Sequence, residues 1–234
     1  MRIIIPLAAL ALLLAGCSGK IIRPMVEKGI RNALPTYIGP AKKYTVKVEG
    51  PSEQIMNGRI NKLKIEGEEV QIDPKLLVDR LMVDMDDVHF NPKTREVQRV
   101  EKTIFQATVS EEAINKYITQ SDASEYNASV KLEPGKVQVA FVPRVLGVNV
   151  AVSLTGKPEI IHGDKVNFVA DSGSVAHLPV PSYVINKVLD KINPILDLST
   201  MKFPVTLDAA TIHKGSVDVS GKANFQPKIE TAKN

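Results

Sequence analysis

Cysteine occurs once in these 234 residues and tryptophan never, and Phe, Tyr and Trp together make up only 5%. One cysteine excludes an internal disulfide, so a packed apolar core must hold the fold. Sparse aromatics leave no stacking platform for single-stranded nucleic acid, and the formal charge of +4 is mild; no nucleic-acid partner is expected. Catalytic patterns are missing as well. No serine sits in a Gly-x-Ser-x-Gly elbow, and no Gly-rich loop is placed to cradle phosphate. His89, His162, His177 and His213 are scattered, without a second histidine or cysteine at ligand spacing. The reading is a non-enzymatic chain with no cofactor and no metal. Long apolar runs are absent except at residues 3–14, which fall short of the ~20 residues needed to cross a ~30 Å hydrocarbon core.

That short run reads as part of a secretory signal. Met1-Arg2 supply the positive start, residues 3–14 the apolar centre, and Ala15-Gly16 the small residues before a cleavage point. Leu14-Ala15-Gly16-Cys17 resembles the bacterial lipobox. The resemblance implies a diacylglycerol on the Cys17 sulfur and cleavage that leaves Cys17 as the new N-terminus. An ordinary signal with an incidental cysteine is the other reading. It is opposed by the position of the only cysteine and by the match at all four places. Two or three acyl chains anchor durably, since each buried methylene contributes ~0.8 kcal/mol. Removal of Arg2 would lower the net charge from +4 to +3. The expected address is the bacterial envelope, lipid-anchored on the periplasmic side. Ser18, where an Asp would favour the inner membrane, leans towards the outer membrane if there are two.

Four segments follow: a signal at 1–16, an anchor with an amphipathic helix at 17–43, an α+β domain at 44–227, and a polar tail at 228–234. In the helix, Ile21, Ile22, Met25, Val26, Gly29, Ile30, Ala33 and Leu34 share one face. Pro24 fits its first turn, and Pro35 is expected to end it. Lys20, Arg23, Lys28, Arg31, Lys42 and Lys43 meet one acid, Glu27, over this stretch. Beside an anionic membrane each such charge contributes about 1 kcal/mol; the pattern equally fits a solvated helix face above a core.

Beyond residue 40 the apolar residues alternate with period two. Tyr44, Val46 and Val48 mark a first strand, and a helical turn is expected near residues 52–56. Further strands are expected at 59–66, 69–73, 77–90 and 97–109, with a bulge near Asp86-Asp87 where Val88 and Phe90 fall out of phase. Ser110 is a suitable N-cap for a second amphipathic helix, with Glu111 and Glu112 at its positive end and Ile114, Tyr117 and Ile118 as its stripe. Glu133-Pro134-Gly135 signals a hairpin. Leu146, Val148, Val150, Val152 and Leu154 alternate as one strand, and His162-Gly163-Asp164 turns the chain into Val166, Phe168 and Ala170. A third helix is expected over 180–196, then a last hairpin turning at Lys214-Gly215. Long alternating strands with three amphipathic helices read as α+β, the helices packing on one face of a long curved antiparallel sheet.

Asp84 and Asp86 would point the same way on a strand and could hold a hard cation, or equally belong to a solvated face. The apolar faces are similarly ambiguous, since they can seal a dry core or line a groove for acyl chains. Val46-Lys47-Val48-Glu49-Gly50-Pro51, Ile55-Met56-Asn57-Gly58, the strands over Ile60 to Val70, Val109-Ser110-Glu111-Glu112-Ala113-Ile114-Asn115, residues 137–156, Leu178-Pro179 and Asn193-Pro194-Ile195-Leu196-Asp197-Leu198 occur in this order. In that order the chain resembles the LmeA-like family of phospholipid-binding proteins. The resemblance implies a tubular lipid-binding architecture, with a curved sheet wrapped around helices that holds lipid tails, and phospholipid as the partner. Ile114, Tyr117, Ile118, Val148, Val150, Val152, Leu154, Val184, Val188 and Ile192 are then one acyl-chain lining, for lipid transfer or presentation. A structural or interaction lipoprotein with a filled core is the alternative.

Overall fold

The computed structural model describes residues 21–72, 76–94, 96–120, 124–125, 127–145, 147–175, 178–179, 185–186, 189, 193–199 and 204–224. In chain order the elements are α1 (Ile22–Tyr37), β1 (Ala41–Glu49), α2 (Ser52–Met56), β2 (Arg59–Gln71), β3 (Leu77–Phe90), β4 (Val97–Ser110) and α3 (Glu111–Thr119). They continue with β5 (Ser129–Glu133), β6 (Lys136–Phe141), β7 (Arg144–Val145), β8 (Val148–Asn149), β9 (Val152–Ile161) and β10 (Lys165–Val175). The last are β11 (Leu178–Pro179), β12 (Leu196–Asp197), β13 (Val205–His213) and β14 (Ser216–Ala223). The fold is α+β, mostly antiparallel sheet curled into a half-barrel, with a few helices. One six-stranded sheet runs β1-β2-β3-β4-β14-β13; the other runs β11-β10-β9-β6-β5, with β12 beside β10, and β7-β8 form a small hairpin.

Alternation builds the first sheet. Its inner rows cross the strands as Val46, Ile65, Val83, Phe105, and as Tyr44, Gly67, Leu81, Ala107. The apolar face of α1 covers the β1–β3 end, where Leu34, Ile30 and Val26 join the core. The Tyr44 ring lies over Gly67, where an added Cβ would come within 2.9 Å of it. Tyr44 also donates its hydroxyl to the Gly39 carbonyl at 2.8 Å. On the outer face Lys43–Glu68, Lys62–Asp86 and Lys64–Glu49 pair across strands at 3.7, 3.9 and 3.8 Å. Asp84 lies opposite Lys64 and Asp86 opposite Lys62 and Lys102. Among the described residues no three or more His, Cys, Asp or Glu are grouped to hold a metal.

The second sheet stands against β13 through its turns: Gly135 N–H donates to the Ile212 carbonyl at 3.1 Å, and Leu207 N–H to Gly163 at 2.6 Å. Its β5 edge is closed by side chains of α3. Ser110 caps that helix, its Oγ accepting the Ala113 N–H at 3.2 Å. The Asn115 amide brackets Val130, accepting its N–H at 2.8 Å and donating to its carbonyl at 2.8 Å. The Glu111 carboxylate accepts the Leu132 N–H at 2.6 Å, and Gly215 N–H donates to the Leu132 carbonyl at 3.1 Å. An open edge invites another strand; here its outward groups have partners. Asn193 repeats the device on β10, accepting from Phe168 N–H at 2.8 Å and donating to its carbonyl at 3.0 Å.

Several expectations need correction. Pro35 does not end α1; it sits in the last turn, exposed to solvent, and the helix runs on to Tyr37. Residues 59–66 and 69–73 are not two strands. β2 continues through Gly67 to Gln71, with Glu69 alone at φ 50°. No residue is inserted at Asp86-Asp87, where the β2–β3 register is unbroken; the irregularity lies close by, against β4, between His89 and Phe90. Instead Asp87 adopts φ 49°, a left-handed conformation that Asp tolerates, and its carboxylate binds Arg59 Nε at 2.7 Å and His89 Nε2 at 3.1 Å. The single strand expected from Leu146 to Leu154 is broken as well. Gly147, at φ 84°, turns the chain into the β7-β8 hairpin before β9 begins at Val152. Of the third helix, Ile185, Asn186 and Leu189 are helical. Leu196, expected to be its last residue, pairs as a strand with Val166. Residues 1–20 and 225–234, including the signal, Cys17 and the tail, lie outside the described residues.

Candidate functional site

The inner face of the second sheet is apolar in every row and loses cover from one end to the other. Nearest the hairpin turn, Leu132 pairs with Val137, and both are buried. The next row is Val130, Val139, Leu154 and Gly173. Leu154 there is 1% exposed, while Val130 and Val139 are half-buried. At Gly173 an added Cβ would meet Leu154 Cδ2 at 2.7 Å and Ile185 Cδ1 at 3.0 Å. Glycine therefore lets the Ile185 side chain pack directly on the sheet.

The last row is Phe141, Val152, Val175 and Leu178. The first three are half-buried, and Leu178 is 70% exposed. The β7-β8 hairpin leaves the sheet at this same end, between Phe141 and Val152, and carries Val148 at 64% exposure. Arg144 steadies the hairpin, its Nε donating to the Gly147 carbonyl at 3.3 Å. Because Glu111 and Asn115 bind Leu132 and then Val130, α3 runs along β5 towards Ser129. Its final turn brings Tyr117 and Ile118 to the end where Ser129 pairs with Ala140, one residue before Phe141. The apolar floor of this sheet thus loses cover at one end, where Leu178 is exposed; Val148 on the adjoining hairpin and Tyr117 near the end of α3 are exposed as well.

The inner face of the first sheet adds a second half-covered band. Phe105, Ala107 and Val109 on β4 and Val217 and Val219 on β14 are half-buried. Val109 packs on the first core and its cross-strand partner Val217 on the second, which joins the two.

The predicted lining therefore divides. Leu154, Ile114 and Val152 come together in the second core. Val150 and Ile118 are half-buried; Val148 and Tyr117 are exposed at the open end. Val184, Val188 and Ile192 lie outside the described residues. Phe141, Val175 and Leu178 belong to the open row and were not in the lining read from sequence. Phe141 continues the alternation of Val137 and Val139, which was the available signal; Val175 falls out of phase with Val166, Phe168 and Ala170 because the register shifts between Ala170 and Ser172.

Two surface depressions are polar. One of about 290 Å³ is lined by Gln54, Arg59, Asn61, Asp86, Asp87 and Glu101. There Arg59 and then His89, both bonded to Asp87, hold its carboxyl below the usual carboxylate range. The other, about 260 Å³, is lined by residues 100–103 and 222–224. Neither offers apolar walls to an acyl chain. In the described residues the greasy surface is an open floor.

A family model described as LmeA-like phospholipid-binding matches residues 19–222. No curated protein and no solved structure matches.

Proposed function

Because the chain belongs to the LmeA-like phospholipid-binding family, we propose that it binds phospholipid by laying acyl chains on the inner face of the second sheet. The observation that carries this reading is the apolar floor whose cover thins from Leu154 to Leu178. A surface that is dry at one end and open at the other suits a ligand with a long tail and a polar head. The driving force is burial of apolar area, at roughly 25 cal/mol per Å²; the headgroup stays in water beside Tyr117, Val148 and Leu178. No bond in the lipid need be made or broken, so the protein acts without enzymatic chemistry. It works from the bacterial envelope, tethered through lipidated Cys17, and passes on or presents the lipid it holds.

The filled-core alternative draws on the tight packing around Leu154 and Phe168. Ligand occupancy separates the two. Native mass spectrometry of residues 17–234 carrying Cys17→Ser, after incubation with phospholipid vesicles, should reveal protein with one lipid bound. Val152→Asp or Phe141→Asp, each at a half-buried position, should cut occupancy at least about tenfold, since a carboxylate on the floor must be desolvated by the tail. Consistently empty protein, or occupancy indifferent to both substitutions, would overturn the proposal.

A further inference from the structure

Around the exposed side and first turn of α1 stand two apolar side chains and three cations that, among the described residues, have no ion-pair partner. Ile21 and Met25 are 50% and 42% exposed, and Lys28 completes their stripe at the i, i+4, i+7 spacing. Arg31 flanks it, and Arg23 projects from the other side of the first turn; both are exposed. Among the described residues none of the three cations forms an ion pair. Glu27 is the one carboxylate in α1, and it is turned inward, accepting the Val48 N–H at 2.9 Å. By contrast, Lys42 and Lys43, which sequence grouped with these cations, are bound to Glu69 and Glu68. Among the described residues, what remains outward on α1 is cationic and apolar, with no compensating acid on the helix. On α2, which packs against α1, Met56 adds a further apolar side chain at 57% exposure.

We infer that this face of α1 is a docking surface for an anionic phospholipid bilayer. Charge complementarity is the first argument: a bilayer bearing acidic headgroups supplies the negative charge that α1 lacks, at about 1 kcal/mol per cation. The second is reach, and it rests on the proposed anchoring at Cys17. Ile22 is five Cα–Cα steps beyond Cys17, so a lipid on that sulfur holds the start of α1 within roughly 18 Å of the bilayer. Ile21 and Met25 can then enter the headgroup layer while Lys28 and Arg31 meet phosphates and Arg23 adds its charge from the first turn, as in amphipathic helices that lie in the interface.

The test uses residues 17–234, which contain every described element, with Cys17→Ser to remove the tether. Co-flotation is measured with phosphatidylcholine vesicles and with vesicles that also contain phosphatidylglycerol. The expected result is binding to the anionic vesicles only, weakening as salt rises. Arg23→Gln, Lys28→Gln and Arg31→Gln together should lower the partition coefficient on the order of 100-fold at low salt. Lys42→Gln with Lys43→Gln should lower it distinctly less. Equal binding to neutral and anionic vesicles, or a triple variant that binds like the parent, overturns the inference. Lipid occupancy measured on the same samples keeps the proposals apart: vesicle binding by protein that never retains a lipid supports this contact and counts against the acyl-chain site alone.

Discussion

In the first sheet β2, β3 and β4 run 13, 14 and 14 residues, whereas β5 and β6 of the second run 5 and 6. The long strands stack buried side chains such as Ile65, Val83 and Leu81 under α1 and put ion pairs on the opposite face. That sheet is secured mainly by its core, because exposed pairs of this kind contribute little. Of the short strands, β5 buries few residues and relies on Asn115 and Glu111 to occupy backbone groups at its edge, as the longer β10 does on Asn193. Hydrogen bonds at an edge secure a strand without covering its face. The second sheet can therefore be fixed in position and still leave Leu178 exposed and Phe141 and Val152 only half-buried, and the contrast separates a scaffold from the proposed lipid surface.

Core truncation challenges the contrast most severely. Ile65→Ala, in the middle of the first sheet, should cost about 2–5 kcal/mol in denaturant unfolding, as large-to-small changes do in well-packed sites. Val152→Ala, at the open row, should cost about 1 kcal/mol or less while weakening lipid retention. Equal destabilisation by the two would mean that the open row is as well covered as the core, and the division of labour would be lost.

Edge closure comes next. Asn115→Leu keeps similar bulk but leaves the Val130 N–H and carbonyl without their partner. With an unsatisfied buried group costing about 1–3 kcal/mol, and this site only partly buried, a loss of about 2 kcal/mol is expected. Amide exchange should quicken at Val130. Glu27→Ala removes a single acceptor from the Val48 N–H of the first sheet and should cost about 1 kcal/mol. A reversed order would show that the first sheet, too, depends on its edge.

Much of the first sheet was legible in the sequence because each strand has one dry and one wet face. Tyr44, Val46 and Val48 are buried as their alternation requires, and β3 and β4 lie where expected. The Ser110 cap and the Pro134-Gly135 turn were readable for a local reason, since both depend on a few adjacent residues. Alternation misled between Leu146 and Leu154, where Gly147 at φ 84° reverses the chain although the apolar residues keep their period. Nor could pattern reveal which apolar residues end up covered. Leu154 and Val148 occupy the same phase, yet one is 1% exposed and the other 64%. Cover depends on what packs across the sheet, a nonlocal fact. The roles of Asn115 and Glu27 were hidden likewise, because their backbone partners lie 15 and 21 residues away.

The smallest effect concerns Tyr44, a titrating group within the first core. Burial pushes its hydroxyl up to about 12, from 10.0. In the unfolded chain the phenol ionises near its ordinary value, while the folded protein keeps the proton until about pH 12. Stability is therefore fully present below pH 10 and declines as pH rises from there towards 12. Tyr44→Phe removes the ionisable group and also the hydrogen bond to Gly39, so it should lose about 1 kcal/mol at neutral pH and flatten the alkaline limb. Denaturant midpoints across that range for parent and variant provide the measurement. Curves that remained parallel would show that the Tyr44 phenol is not protected by burial, and with it the claim that α1 and the long strands keep water from this part of the first sheet would fall.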